Sequence, residues 1–357
     1  MKKINLLLFG LILIINSCST AQNSHQEKID KAQVIANQFL KDQQIPGMAI
    51  SVSLKGKTIW SEGFGFANKE TKTKVNPSTT QFRVASISKT LTALAMAKLV
   101  DDGKLNFDAS LYDYVPNFPE KKYDFTIKQI AGHIAGIRHY YGNEFLMNKK
   151  MTIVEGLDIF KNAPLLFEPG TNYKYSTYGW NLLSVVVQNA SKIDYNEYMK
   201  KAVFNPLKMK NTSLGFSDRK MPNRTAFYVK QNGEVIIGPK VNNEFKAAGG
   251  GFVATSEDLI LFGNEIINPK LVSKKIITEM VTPLQTSVGK STNYGIGIGV
   301  KKLKNNSLRY SHSGGGIGAT AFLLIYPEKE IVISILTNLS GVNIRKIIGE
   351  LEGVFIK

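Results

Sequence analysis

Cysteine is almost absent: Cys18 is the only one in 357 residues. A single cysteine so near the N-terminus leaves the body of the chain with no disulfide, no thiolate zinc site and no cysteine nucleophile. Histidine is scarce too, with His25, His133, His139 and His312 making the full set of 4. No H-x-x-x-H pair, G-x-S-x-G elbow or Walker loop occurs, so zincin, α/β-hydrolase and P-loop chemistries find no support. Acidic residues are outnumbered, 28 Asp+Glu against 45 Lys+Arg, for a net charge of +17. The excess is mostly lysine and is scattered, as at Lys69, Lys72, Lys149, Lys200, Lys210 and Lys274. Without a dense basic block interleaved with aromatics, no nucleic-acid partner is expected. A lysine-rich surface with a mild attraction for anionic envelope polymers is. Long apolar runs are also missing. The stretch Ile4 to Ile15 is broken by Asn5 and Gly10 and is short for a membrane span.

Lys2 and Lys3 before that stretch make residues 1–17 an export signal. Ile15-Asn16-Ser17-Cys18 resembles a bacterial lipoprotein processing site, in which the cysteine becomes the lipidated N-terminus. The alternative is ordinary cleavage near Thr20-Ala21. The expected organisation is a lipoprotein-type signal over 1–17, a polar tether over 18–28 and a folded domain over 29–357. The protein is then exported and held by Cys18 on the periplasmic side of a bacterial membrane.

What remains is ample for a large core, since 43% of the chain is hydrophobic. Spacing predicts a first helix from Ile29 to Leu40. Alternation from Gly47 to Trp60 around Lys55-Gly56-Lys57 predicts a hairpin. Helices are expected over 86–102, 126–133, 152–162, 178–190, 194–203 and 256–266. Strands are expected at Tyr294–Val300, Leu308–Ser313, Ala319–Tyr326 and Ile331–Asn338, then a helix from Val342 to Phe355. Strands at both ends with helices between predict one antiparallel sheet built from both chain ends. Terminal helices would cover one face, and a mostly helical insert would form a second lobe. The site is expected in a cleft where the lobes meet.

Three segments carry chemistry. Ser86-Ile87-Ser88-Lys89 opens a helix with Leu91, Leu94, Ala95 and Leu99 as its apolar stripe. Serine and lysine three apart share a helix face. A serine hydroxyl needs a base, and a lysine with a lowered pKa can be one. Two further S-x-x-K matches, at Ser217 and Ser287, lie in turn-like sequence. The bland alternative for Ser86 is an N-cap followed by an exposed lysine. Tyr175 stands where a loop enters a helix and can project into a cleft. Near a lysine ammonium its phenol would ionise more easily; the alternative is a half-buried structural tyrosine. His312-Ser313-Gly314-Gly315-Gly316 lies between two strands, where glycine lets backbone N–H approach a ligand. Opposite the N–H of Ser86 such a strand would complete an oxyanion hole; the alternative is a hairpin loop. His133 reads as a structural loop histidine, and His139 as a possible cleft residue of little weight.

Taken in order, Ser86-x-x-Lys89, Tyr175-Ser176-Thr177 and His312-Ser313-Gly314 resemble the serine β-lactamase and penicillin-binding-protein superfamily, in its class C-like branch. Phe82 to Lys89 and His133 to Tyr140 are similar to the mitochondrial β-lactamase-like serine proteases. Ala248 to Phe252 and Tyr294 to Gly297 add weaker similarity. The resemblance implies an α/β (α+β), β-lactamase/transpeptidase-like fold and a serine hydrolase with no metal or cofactor. It implies Ser86 as acylated nucleophile, Lys89 and Tyr175 sharing the proton work, and the N–H groups of Ser86 and Gly315 as oxyanion hole. Thr177, His312, Ser313 and Gly314 would bind substrate. Thr177 stands where asparagine is usual in β-lactamases, and His312 where a lysine helps bind the substrate carboxylate. A largely neutral imidazole does that less well. The implied substrate is a D-Ala-D-Ala-like peptide, a muropeptide or an ester. The alternatives are a β-lactamase proper, or a penicillin sensor acylated without turnover.

Overall fold

The computed structural model describes residues 25–217 and 220–357. The expected signal, Cys18 and the tether up to residue 24 lie outside the described residues, as do Asp218 and Arg219. Helices are α1 (25–42), α2 (Ile87–Asp101), α3 (Ile127–Ala131), α4 (Thr177–Ser191), α5 (Tyr195–Met199), α6 (Ser256–Ile267), α7 (Lys274–Met280) and α8 (Arg345–Phe355). Strands are β1 (Gly47–Leu54), β2 (Lys57–Asn68), β3 (Thr73–Lys74), β4 (Phe82–Arg83), β5 (Ser213–Leu214) and β6 (Tyr228–Gln231). They continue with β7 (Glu234–Ile237), β8 (Phe252–Ala254), β9 (Gly299–Lys302), β10 (Leu308–Gly316), β11 (Ala319–Tyr326) and β12 (Ile331–Thr337). The described residues divide into two compact units, 25–44 with 343–357, and the described part of 45–342.

In the first unit α1 already covers 25–28, residues expected in the tether. An ion pair from Lys346 to Asp42 at 3.6 Å and a bond from the Asn343 N–H to Gln43 Oε1 tie α1 to the segment that opens α8.

The second unit is a mixed α/β fold with a large antiparallel sheet flanked by helices. Seven strands run in the order β3-β2-β1-β12-β11-β10-β9, so the two ends of the chain meet at the β1–β12 pair. Every residue of β12 is buried. That explains its unbroken Ile-Val-Ile-Ser-Ile-Leu run where a half-solvated strand would alternate. Register sets Ile50 opposite Ile335 and Ile335 opposite Phe322. Each such side chain contributes ~1.5–3 kcal/mol by leaving water. Helix α6 lies over β1, β11 and β12.

Helix α2 departs from the expected one-sided stripe. It is buried from Ile87 to Ala97 and again at Leu99, on all faces. Alanines at 93, 95 and 97 let α4, α7 and the glycine turn 247–251 approach it closely. The expected helix over 152–162 is a short 3₁₀ turn, Glu155–Ile159. The expected strand Tyr294–Val300 is mostly a tight turn. The Gly295 N–H donates to the Ile298 carbonyl, Gly297 has φ +71°, and regular pairing begins at Gly299. Its apolar residues mark burial, not a strand. Helix α7 and the β6–β7 hairpin were not expected.

Candidate active site

Ser86 directly precedes α2, but its backbone is already helical (φ −63°, ψ −9°) and its side chain makes no cap bond. The hydroxyl is therefore free for other partners, and the N-cap alternative fails. Lys89, one turn on, has no exposed surface. Its Nζ lies 3.1 Å from Ser86 Oγ, 3.2 Å from Thr177 Oγ1 and 2.5 Å from the Gly249 carbonyl. Burial pushes its pKa well below the ordinary lysine value. A neutral amine has two hydrogens and one lone pair. The Gly249 carbonyl can only accept, so it takes one hydrogen, and Thr177 Oγ1 takes the other. The lone pair is left for the hydroxyl of Ser86, which is the geometry of a general base.

Gly249 makes this arrangement possible, since a Cβ there would stand 2.6 Å from Thr177 Cγ2 and 2.8 Å from Asn181 Oδ1. Ala85, just before Ser86, is held in the left-handed region at φ +44°.

Tyr175 is hydrogen-bonded to Ser86, and its ring lies 4.9 Å from Lys89 Nζ. Desolvation holds its phenol above the usual range, against the opposing pull of the Ser86 bond. This corrects the expectation of an easily ionised tyrosine, because the cost of burying a phenolate outweighs the stabilisation its neighbours offer. Ser86 Oγ thus has the Lys89 amine on one side and the Tyr175 phenol on the other.

The loop-to-helix junction is fixed by histidines. His133 Nδ1 accepts from the Ser176 N–H at 3.1 Å, and His139 Nδ1 accepts from the Thr177 N–H at 3.1 Å. The His133 ring lies 4.3 Å from that of Tyr175 and 4.9 Å from that of Tyr294. Desolvation keeps His133 well below its normal pKa and brings His139 down to about 4. Glu144 pairs with Arg138 and accepts from Tyr178, which ties the 139–146 loop to α4.

His312 lies on β10, with Tyr294 Oη 2.8 Å from its Nε2 and the Ser313 carbonyl 2.7 Å from its Nδ1. The carbonyl only accepts, so Nδ1 carries the proton and Nε2 accepts from Tyr294. Desolvation pushes the ring down to about 3. A neutral imidazole with both nitrogens engaged offers a substrate carboxylate neither charge nor a free donor. On this geometry His312 meets the cavity with its ring face rather than with a free polar atom. Its ring still lines the cavity wall.

Strand β9 pairs with β10 only from Leu308 to Ser311. From His312 to Gly316, β10 pairs with β11 on one side and, among the described residues, with no strand on the other. Gly314 is needed because a Cβ there would stand 2.2 Å from the Val84 carbonyl. Ser313 and Gly315 are exposed, and nothing lies within 4 Å of a Cβ built on Gly315.

These groups enclose a cavity of about 500 Å³ lined by Ser86, Tyr175, Thr177, His312, Ser313 and Gly315. The structure therefore gathers Ser86, Lys89, Tyr175, Thr177 and the β10 glycines, and leaves the rival motifs outside. Ser217 is exposed and bonded to Glu244 and Asn242, and Ser287 sits in an exposed turn. Sequence reasoning undervalued His133 and His139 and gave no role to Tyr294, Arg83 or Lys246, which also line or brace the cavity. The left-handed His133 (φ +64°) between Gly132 and Gly136 marks a constrained turn, and the sequence signal lay in those glycines.

Residues 33–347 match the protein family described as Beta-lactamase. The chain is 29% identical to the human serine beta-lactamase-like protein LACTB, mitochondrial, covering 88% of this chain and 77% of that one. The octameric penicillin-binding protein homologue from Pyrococcus abyssi has a TM-score of 0.79 at 23% identity, covering 92% of this chain and 77% of that one. The D-amino acid amidase from Ochrobactrum anthropi SV3 has a TM-score of 0.79 at 20% identity, covering 92% and 98%. At these identities the two structures share the fold.

Proposed function

The chain belongs to the beta-lactamase family of serine hydrolases, and from that premise we propose that it hydrolyses a peptide, amide or ester through an acyl-enzyme on Ser86. The observation that carries this reading is the neutral Lys89 amine with its lone pair on the Ser86 hydroxyl. As Ser86 Oγ bonds to the substrate carbonyl carbon, its proton passes to Lys89. The oxyanion is received by the N–H groups of Ser86 and Gly315. Tyr175, a phenol on the far side of Oγ, gives its proton to the leaving group and is reprotonated from Lys89. Water, deprotonated by the same pair, then releases the acid and restores Ser86. Thr177 holds the lysine rather than the substrate. Ser313 and Gly314 belong to the strand along which the substrate lies.

The state of His312 favours this reading over an efficient β-lactamase, whose anionic substrate would find no charge there. Labelling with a fluorophosphonate tests it. The wild type should label stoichiometrically and Ser86→Ala should not, and para-nitrophenyl esters or D-Ala-D-Ala peptides should turn over. Labelling that survives Ser86→Ala overturns the nucleophile. Labelling without turnover would make the protein an acylated sensor.

Export and anchoring belong to the same reading: Cys18 carries lipid and holds the hydrolase on the periplasmic side of a bacterial membrane. The short apolar stretch and the lone cysteine support it. Cys18→Ser should release the protein from the membrane fraction, and unchanged fractionation with a mature N-terminus beyond Cys18 would rule it out.

A further inference from the structure

Among the described residues no aspartate or glutamate lines the cavity, yet Arg83 and Lys246 both do. Lys246 is only 3% exposed. Its ammonium donates to the Phe145 carbonyl at 3.1 Å and lies 5.2 Å from the Tyr140 ring. The Arg83 guanidinium stacks 3.8 Å from the Phe227 ring and donates to the carbonyls of Ile317 at 2.8 Å and Val241 at 3.5 Å. Neither has a carboxylate partner among the described residues. Arg138, about as buried as Lys246 where Arg83 is half-buried, is matched by both oxygens of Glu144. Buried cations are normally paired. A guanidinium has five N–H groups and an ammonium three, so each keeps donors beyond the carbonyls it already serves. Desolvation and then repulsion from Arg83 bring Lys246 down to about 8, so the pair opposes itself while the cavity is empty of negative charge.

Position matters as much as charge. Ile317, which holds Arg83, directly follows β10, and a Cβ on Gly316 would stand 3.8 Å from that of Ala85. A substrate extended along the open edge of β10 therefore meets neutral Tyr294 and His312 at one end and two cations at the other.

We propose that Arg83 and Lys246 form a carboxylate-recognising subsite past the Gly316 end of β10, so that the preferred substrates carry a carboxylate at that end. The proposal rests on the serine-hydrolase reading and names its substrate class. Fluorophosphonate labelling tests the parent reading separately.

Two para-nitrophenyl esters matched in length, the hemiglutarate and the valerate, test the subsite. The wild type should favour the hemiglutarate by roughly tenfold to a hundredfold in kcat/KM, the worth of a charge-assisted contact. Lys246→Met and Arg83→Met should each collapse that ratio, mainly through KM for the anionic ester, and Lys246→Arg should keep it. A wild-type ratio near unity with full labelling overturns the subsite and spares the hydrolase. Glutarate alone gives a readout independent of turnover: it should raise the Tm of wild type and not of Lys246→Met. Equal shifts in both proteins, or none in the wild type, would also refute the subsite.

Discussion

Among the described residues neither Lys89 nor Lys246, both buried, has a carboxylate partner, and burial lowers the pKa of both, but their neighbours give them different work. Lys89 touches a carbonyl and two hydroxyls, so losing its proton leaves it well partnered. Removing that lone pair should slow acylation of Ser86 by ~10²–10⁴-fold, the usual range for a lost general base. Lys89→Met should show it in the rate of fluorophosphonate labelling. Lys89→Arg should be no better, because a guanidinium stays protonated and cannot accept. A labelling rate within a few-fold of wild type in either variant would remove Lys89 from the proton path. Lys246 is useful only while charged. With its pKa at about 8, the preference for an anionic ester should be full at pH 7 and should fade as pH rises through 8. The hemiglutarate-to-valerate ratio against pH measures this, and a ratio constant up to pH ~9.5 would contradict it.

Strand β10 and helix α2 are the elements that build the site, and two adjacent glycines separate their fitting from their function. Gly314→Ala must push Cβ into the Val84 carbonyl on the approach to α2, and backbone cannot yield as a flexible side chain can. It should cost ~1–3 kcal/mol or more, in the range for overpacking. Gly315→Ala meets open space and should leave the denaturation midpoint close to wild type. Urea melts of the two variants decide; equal midpoints would mean that β10 does not press on Val84. Elements of this kind were mostly legible. The α4 helix expected over 178–190 runs Thr177–Ser191, and β11 was placed at Ala319–Tyr326 as observed. The failures have physical causes. Tyr294 to Ile298 has the apolar content of a strand because it is packed into the core, and periodicity cannot tell those cases apart. The β6–β7 hairpin has mostly exposed strands, so its alternation is weak; its signal was Asn232-Gly233, both at positive φ.

Across the whole molecule, the imidazoles of the site, His133 and His312 buried and His139 half-buried, couple acid to unfolding. His133 is held well below the free value, His139 at about 4 and His312 at about 3. The unfolded chain takes up these protons near pH 6.5, while the folded protein refuses them until far lower pH. Stability is therefore complete above 6.5 and declines as pH falls from there toward 3. For a buried group such as His312 each unit of that gap is worth ~1.4 kcal/mol. The urea midpoint should drop between about pH 6.5 and 5, before most carboxylates titrate, and His312→Asn should flatten part of the slope. A midpoint constant over that interval would refute the assignment of neutral, buried rings. The same scale explains what the sequence hid. Ser86 and Lys89 are neighbours on one turn, and Tyr175 heads a helix, so each announces itself locally. Arg83 and Lys246, or His133 and Tyr294, become neighbours only when the chain closes on itself, and no local pattern records that.

The unpaired side of β10 has one more consequence, for the company the protein keeps. A strand edge left open to receive an extended substrate offers the same backbone groups to a strand of any other chain. Here the open stretch is only His312 to Gly316, rich in glycine, set in the wall of a cavity and closed at its far end by Arg83 and Lys246. Shortness, enclosure and two like charges discourage a second copy from pairing there, while a single narrow segment with a carboxylate can enter.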